Sequence, residues 1–66
     1  MKVTVNGESR DLDDGLTVLA MLERLGLKPE ATVVQRNDDI VDRDRYGETP
    51  VSEGDTFELV RFVGGG

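Results

Sequence analysis

Only one stretch of this chain repeats at helical spacing, and that limits its fold more than any other feature. Val18, Met21, Leu22 and Leu25 fall at i, i+3, i+4 and i+7, while Ala20, Glu23 and Arg24 take the opposite side. The remaining apolar residues alternate or form short runs between turn residues. A single helix can cover one face of a single sheet, so the expected architecture is an α+β roll in the order strand, strand, helix, strand, short strand, strand. The 66 residues leave room for one small domain, and 36% hydrophobic content supports one thin core rather than a deep catalytic cavity.

Met1 to Val5 alternates, with Val3 and Val5 on one face, and Asn6-Gly7 is the dipeptide that best tolerates the positive φ angles of a tight hairpin. The return strand, Glu8 to Leu12, is polar apart from its end and suits a sheet edge. Thr17 is placed to cap a helix of about ten residues. Asp13 and Asp14 are expected near its positive end, and Gly26 near its left-handed stop before Lys28-Pro29. Ala31 to Arg36 reads as a strand, Asn37-Asp38-Asp39 as a turn and Ile40-Val41 as a short returning strand. Asp42 to Pro50 is charged and irregular, and Glu53-Gly54-Asp55 turns the chain into a last strand, Thr56 to Phe62.

Composition removes most chemistry. The absence of Cys and His rules out a thiol nucleophile, an imidazole base, a disulfide and the usual zinc ligands. Eight Lys and Arg against fourteen Asp and Glu give a net charge of −6, which repels nucleic acid and anionic membrane surfaces and favours basic patches on other proteins. No apolar run approaches a membrane span and no signal-peptide pattern opens the chain, so a cytoplasmic location is expected.

Asp42, Asp44, Gly47 and Glu53 match positions 1, 3, 6 and 12 of a calcium loop. Tyr46 at position 5, Pro50 at position 9, the neighbouring Arg43 and Arg45 and the lack of flanking helices argue against calcium. The acid pairs Asp13-Asp14 and Asp38-Asp39 sit in solvated turns without an apolar pocket to shift their pKa values. The most unusual feature is the end, Phe62-Val63-Gly64-Gly65-Gly66, where a strand runs into three residues without side chains. Extended, the four residues beyond Phe62 reach about 13 Å, enough to carry a terminal carboxylate down a narrow passage in another protein. Terminal glycines also fray without purpose, and the residues alone leave both readings open.

Taken together, the chain resembles the sulfur-carrier family of bacterial thiazole (thiamine) biosynthesis, whose members are ubiquitin-like β-grasp proteins. The resemblance runs end to end. It rests on Met1-Lys2-Val3-Thr4-Val5-Asn6-Gly7, Thr17-Val18-Leu19, Val34-Gln35-Arg36-Asn37 with Ile40-Val41, Asp42 to Tyr46, Glu53-Gly54-Asp55 and Val60-Arg61-Phe62-Val63-Gly64-Gly65-Gly66. It implies a β-grasp roll over residues 1–63, with a mixed sheet of four to five strands covered on one face by the helix, followed by a flexible glycine tail at 64–66. It implies no catalytic side chain and no metal site. It implies that Gly66 is the residue adenylated and then thiocarboxylated, with Gly64 and Gly65 as the thread. The implied partners are an adenylating enzyme that uses ATP and Mg²⁺, a sulfur donor such as a cysteine desulfurase, and thiazole synthase as acceptor.

The small subunit of molybdopterin synthase is similar in fold, diglycine and activation chemistry and is the alternative. It is set back by Arg61-Phe62-Val63, where that family often carries prolines. A noncatalytic β-grasp binding module, or a protein modifier joined to lysines through Gly66, is a further alternative.

Docking is expected around the root of the tail. Alternation sends Phe57 and Leu59 to one face and Val60 and Phe62 to the other, making Val60 and Phe62 an apolar patch; Arg61 is expected as a charged contact, and Val63, at the root of the tail, as a further partner-binding residue. Replacing Phe62 with Glu is predicted to weaken complex formation with the adenylating partner while thermal unfolding stays nearly unchanged; a large loss of stability instead would put Phe62 in the core.

Overall fold

The structure is a computed structural model that describes residues 1–61. Strands β1 (Lys2–Val5), β2 (Glu8–Asp11), β3 (Thr32–Arg36), β4 (Asp39–Val41) and β5 (Thr56–Arg61) form one sheet in the order β2-β1-β5-β3-β4, and helix α1 (Val18–Arg24) covers one face. Residues 62–66, including the end of the expected last strand and the whole glycine tail, lie outside the described residues. The sheet is mixed. β1 and β5 run parallel at its centre, and the other neighbours are antiparallel.

Both hairpins turn on two residues with positive φ. Asn6 and Gly7 stand at 50° and 83°, and Asn37 and Asp38 at 49° and 73°. This is the turn whose twist matches the strands it joins. Asp39, expected in the turn, already pairs with Arg36 in β4. The polar β2 is exposed throughout and forms a sheet edge, as its sequence suggests. It ends one residue short of the expected Leu12. That residue is half-buried, and its amide donates to the Met1 carbonyl at 2.8 Å.

Helix α1 is seven residues long rather than about ten, because the chain leaves helical geometry at Leu25 and Gly26 takes φ 76°. Thr17 caps it, accepting from the Ala20 amide at 3.2 Å. The Val18 and Leu19 amides donate to the Thr49 and Tyr46 carbonyls at 2.8 and 2.9 Å, so the loop after β4 seals the helix start. The expectation for the aspartates fails there. Asp13 instead accepts from Arg24, in the last helical turn, at 2.6 Å, and Asp14 lies 3.4 Å from the N-terminal amine. A full positive charge outcompetes the partial charge of a helix start whose amides are already bonded. The hydrogen bond from Arg24, with its charge, holds the Asp13 carboxyl below its usual value of 3.8.

Val18, Met21 and Leu22 pack on Val3, Val5, Val34, Phe57 and Leu59. Ala31 closes a short 3₁₀ turn after Pro29 instead of beginning β3, with its amide donating to the Lys28 carbonyl at 3.0 Å. The charged stretch holds a core residue the sequence reading did not place. Tyr46 follows a 3₁₀ turn over Arg43–Arg45, is 3% exposed, and donates its hydroxyl to the Thr32 carbonyl at 2.7 Å. Removing that hydroxyl would strand a buried acceptor, at a cost of about 1–3 kcal/mol.

The turn into β5 is held by a buried carboxylate. Asp55 is 6% exposed and accepts from Arg36 Nε at 2.9 Å, Asn37 Nδ2 at 3.1 Å and the Ser52 amide at 2.8 Å. Burial pushes this carboxyl up. The hydrogen bonds from Arg36, Ser52 and Asn37, with the Arg36 charge, outweigh that push and leave it below its usual 3.8. A carboxyl whose folded pKa is depressed stabilises the fold above its unfolded pKa and ceases to as pH falls through the folded value. The melting temperature is therefore predicted to decline as pH drops below 3.8. Asp55→Asn should be less stable at neutral pH and show a shallower acid decline; an unchanged acid profile would contradict this role for Asp55.

Candidate functional site

The described chain ends on the central strand, and two asparagines hold that strand from its two sides. At its start, the Asn37 amide donates to the Thr56 carbonyl at 2.8 Å and Asn37 Oδ1 accepts from the Thr56 amide at 2.9 Å. On the other side, just after Val5 pairs with Phe57, the Asn6 amide donates to the Phe57 carbonyl at 2.9 Å. The Asn6 side chain then accepts from the Leu59 amide at 2.8 Å and donates to the Leu59 carbonyl at 3.3 Å. A side-chain amide thus substitutes for the missing strand. Both asparagines occupy turn positions whose positive φ this residue tolerates, so one residue type serves the turn and the strand beside it.

Beyond Leu59, Val60 and Arg61 face opposite sides of the sheet. Val60 is 58% exposed on the face away from α1 and pairs in register with the half-buried Val33. Ile40, opposite Gln35 on the same face, is 64% exposed. The apolar surface expected from Val60 therefore includes Val33 and Ile40, which the sequence reading did not assign to it. Alternation across the paired strands β3 and β5 was the signal that could have found Val33.

Arg61 lies on the helix side. It lines a groove of about 330 Å³ with Gly26, Leu27, Lys28, Ala31 and Thr32. The expected apolar and charged contacts thus occupy two separate surfaces at the end of β5. Phe62, Val63, Gly64, Gly65 and Gly66 all fall outside the described residues.

Among the described residues, no three acidic side chains gather as a metal site, and no helix is long and apolar enough to cross a membrane. In the calcium-spaced segment Tyr46 turns its ring into the core and gives its hydroxyl to Thr32. The described end of β5 offers a held strand, an apolar face and a cationic groove, a set suited to being gripped by another protein.

The profile of the ThiS family matches residues 3–66. The chain belongs to the ThiS family. The thiazole synthase of Paramagnetospirillum magneticum is 41% identical over 66 residues, which is 100% of this chain and 20% of that protein. That of Magnetococcus marinus matches to the same extent, so the chain spans about one fifth of the length of these relatives. The sulfur carrier protein ThiS of Bacillus subtilis is 36% identical over 50 residues, 76% of each chain. In three dimensions, the crystal structure of the thiamine biosynthesis protein ThiS from Geobacter metallireducens is 33% identical and covers both chains fully with a TM-score of 0.84. The β-grasp roll expected from the sequence is the ThiS fold.

Asn6→Gly keeps a residue that accepts φ near 50° but removes both side-chain bonds to Leu59. At about 1 kcal/mol per bond, hydrogen exchange at the Leu59 amide is predicted to quicken roughly fivefold or more. Unchanged protection would show that Asn6 does not hold the strand.

Proposed function

We propose that this chain is a sulfur carrier of thiamine biosynthesis whose working group is the carboxylate of Gly66. The observation that carries the reading is that the ThiS-family match extends through Gly64-Gly65-Gly66, which in sequence follow the described end of the central strand at Arg61 after Phe62-Val63. The fold serves as a handle. It supplies no catalytic side chain, in keeping with a chain that has neither Cys nor His.

A carboxylate is a poor electrophile because its charge is spread over two oxygens, so activation comes first. An adenylating partner holding ATP and Mg²⁺ lets a Gly66 carboxylate oxygen attack the α-phosphorus, and pyrophosphate leaves. The outer sulfur of a persulfide on a donor such as a cysteine desulfurase then attacks the carbonyl carbon of the mixed anhydride, and the C–O bond breaks to release AMP. A partner thiol attacks the S–S bond of the resulting acyl disulfide, taking the donor sulfur into a disulfide and freeing the carrier's thiocarboxylate. The resulting thiocarboxylate is a soft nucleophile on a tether. Its high effective concentration delivers sulfur to thiazole synthase without free sulfide. The three glycines keep the thread narrow, since any Cβ would widen it.

Val60, with Phe62 and Val63 beyond it, would meet the partner through apolar contact, and Arg61 through charge. Kinship with proteins named thiazole synthase, within which this length is one fifth of the chain, supports that enzyme as the acceptor. The test is the intact mass after incubation with the adenylating enzyme, ATP, Mg²⁺ and a sulfur donor. Replacement of one oxygen by sulfur is expected, followed by its loss to product once thiazole synthase and its other substrates are added. An unchanged mass would contradict the carrier role, and transfer only to the large subunit of molybdopterin synthase would contradict the acceptor.

A further inference from the structure

We propose that the groove between Lys28 and Arg61 receives an acidic side chain of the adenylating partner and sets the register in which the carrier docks. The proposal rests on the sulfur-carrier reading and deepens it, because the groove opens beside the residue from which the tail departs.

Charge selects the occupant. In a chain with net charge −6, Arg10, Arg24, Arg36 and Arg45 each lie within ion-pair distance of a carboxylate. Among the described residues, Lys2, Lys28, Arg43 and Arg61 have no such partner, and of these four only Lys28 and Arg61 share a concavity. These two cations line one concavity of about 330 Å³.

Four further donors around the groove are committed. The Gly26 amide donates to the Glu23 carbonyl, the Leu27 amide to Leu22, and the Ala31 amide to Lys28. The Thr32 hydroxyl also donates to the Lys28 carbonyl, at 2.7 Å. A neutral peptide would therefore find few free donors, whereas a carboxylate finds two cations lining the same groove as Leu27 and Ala31. The paired bonds to the Lys28 carbonyl fix the backbone that carries one of those cations, so part of the ordering cost of docking is already met.

The anion belongs to the partner's body and not to its nucleotide. The five residues after Arg61 span at most about 17 Å when extended, and a tail that reaches into an active site is drawn out along that length. A phosphate reacting at Gly66 would then lie far from the groove. Cations in an otherwise acidic surface give register more than raw affinity, since a misplaced docking would set carboxylates against carboxylates.

The experiment measures binding of the full chain to purified adenylating enzyme by calorimetry without ATP, so that docking is read apart from chemistry. Lys28→Glu and Arg61→Glu are each expected to weaken the complex about tenfold, in a salt-dependent manner, with melting temperatures unchanged. Arg43→Glu makes the same charge change outside the groove and should weaken it no more than about twofold. Equal effects from all three would assign the loss to overall charge and overturn the proposal. ATP titrated into the isolated chain is expected to leave the Lys28 and Arg61 amide resonances in place; shifts there would make the groove a phosphate site and also overturn it. Normal sulfur loading with unmoved affinities refutes the groove alone, whereas failure of the unaltered chain to load sulfur strikes at the carrier reading.

Discussion

The whole arrangement depends on the pairing of the central strand β5 with neighbours on both sides. Its inner face carries Phe57 and Leu59 into the core beneath α1, and its backbone is clasped by Asn37 at the start and by Asn6 toward the end. A sheet with β5 at its edge would present the end of that strand on a frayed rim. With β1 and β3 flanking it, the strand is paired with β3 as far as Arg61, while its last described residues stand clear of β1. A strand held in place up to Arg61 gives the proposed carrier a fixed body from which its end can be presented.

Local pattern made much of this legible. Val18, Met21 and Leu22 bury because their spacing puts them on one helical face, and Asn6-Gly7 turns because those residues accept positive φ. Such features depend on neighbours in sequence, and the sequence displays them. The parallel pairing of β1 with β5 joins the two ends of the chain, and no local pattern encodes it. Asp55 looks like any turn aspartate until Arg36, Asn37 and Ser52 close around it, and Tyr46 looks solvated among charges until its ring is seen under β3. Asp13 was misplaced for the same reason: its partner Arg24 is remote in sequence and close only after folding.

The candidate site divides along the same line. Alternation alone separates Val60 from the core and makes it available to a partner, and its exposure agrees with that. The groove on the other face is a tertiary object, since Lys28 comes from the connection after α1 and Arg61 from the end of β5. The sequence marks Arg61 as a charged contact but says nothing of the second cation beside it. The two surfaces at one strand end suit the proposed carrier, which would be recognised by enzymes with different tasks at the root of the same tail.

The most direct measurement uses a chain whose Gly66 ends in a carboxamide, offered to the complete sulfur-transfer system beside the unaltered chain. If the terminal carboxylate is the working group, the capped chain still docks on the adenylating enzyme but never acquires sulfur and yields no thiazole product. Sulfur delivery by the capped chain at the normal rate would contradict the account, because the chemistry would then have to reside elsewhere in the domain.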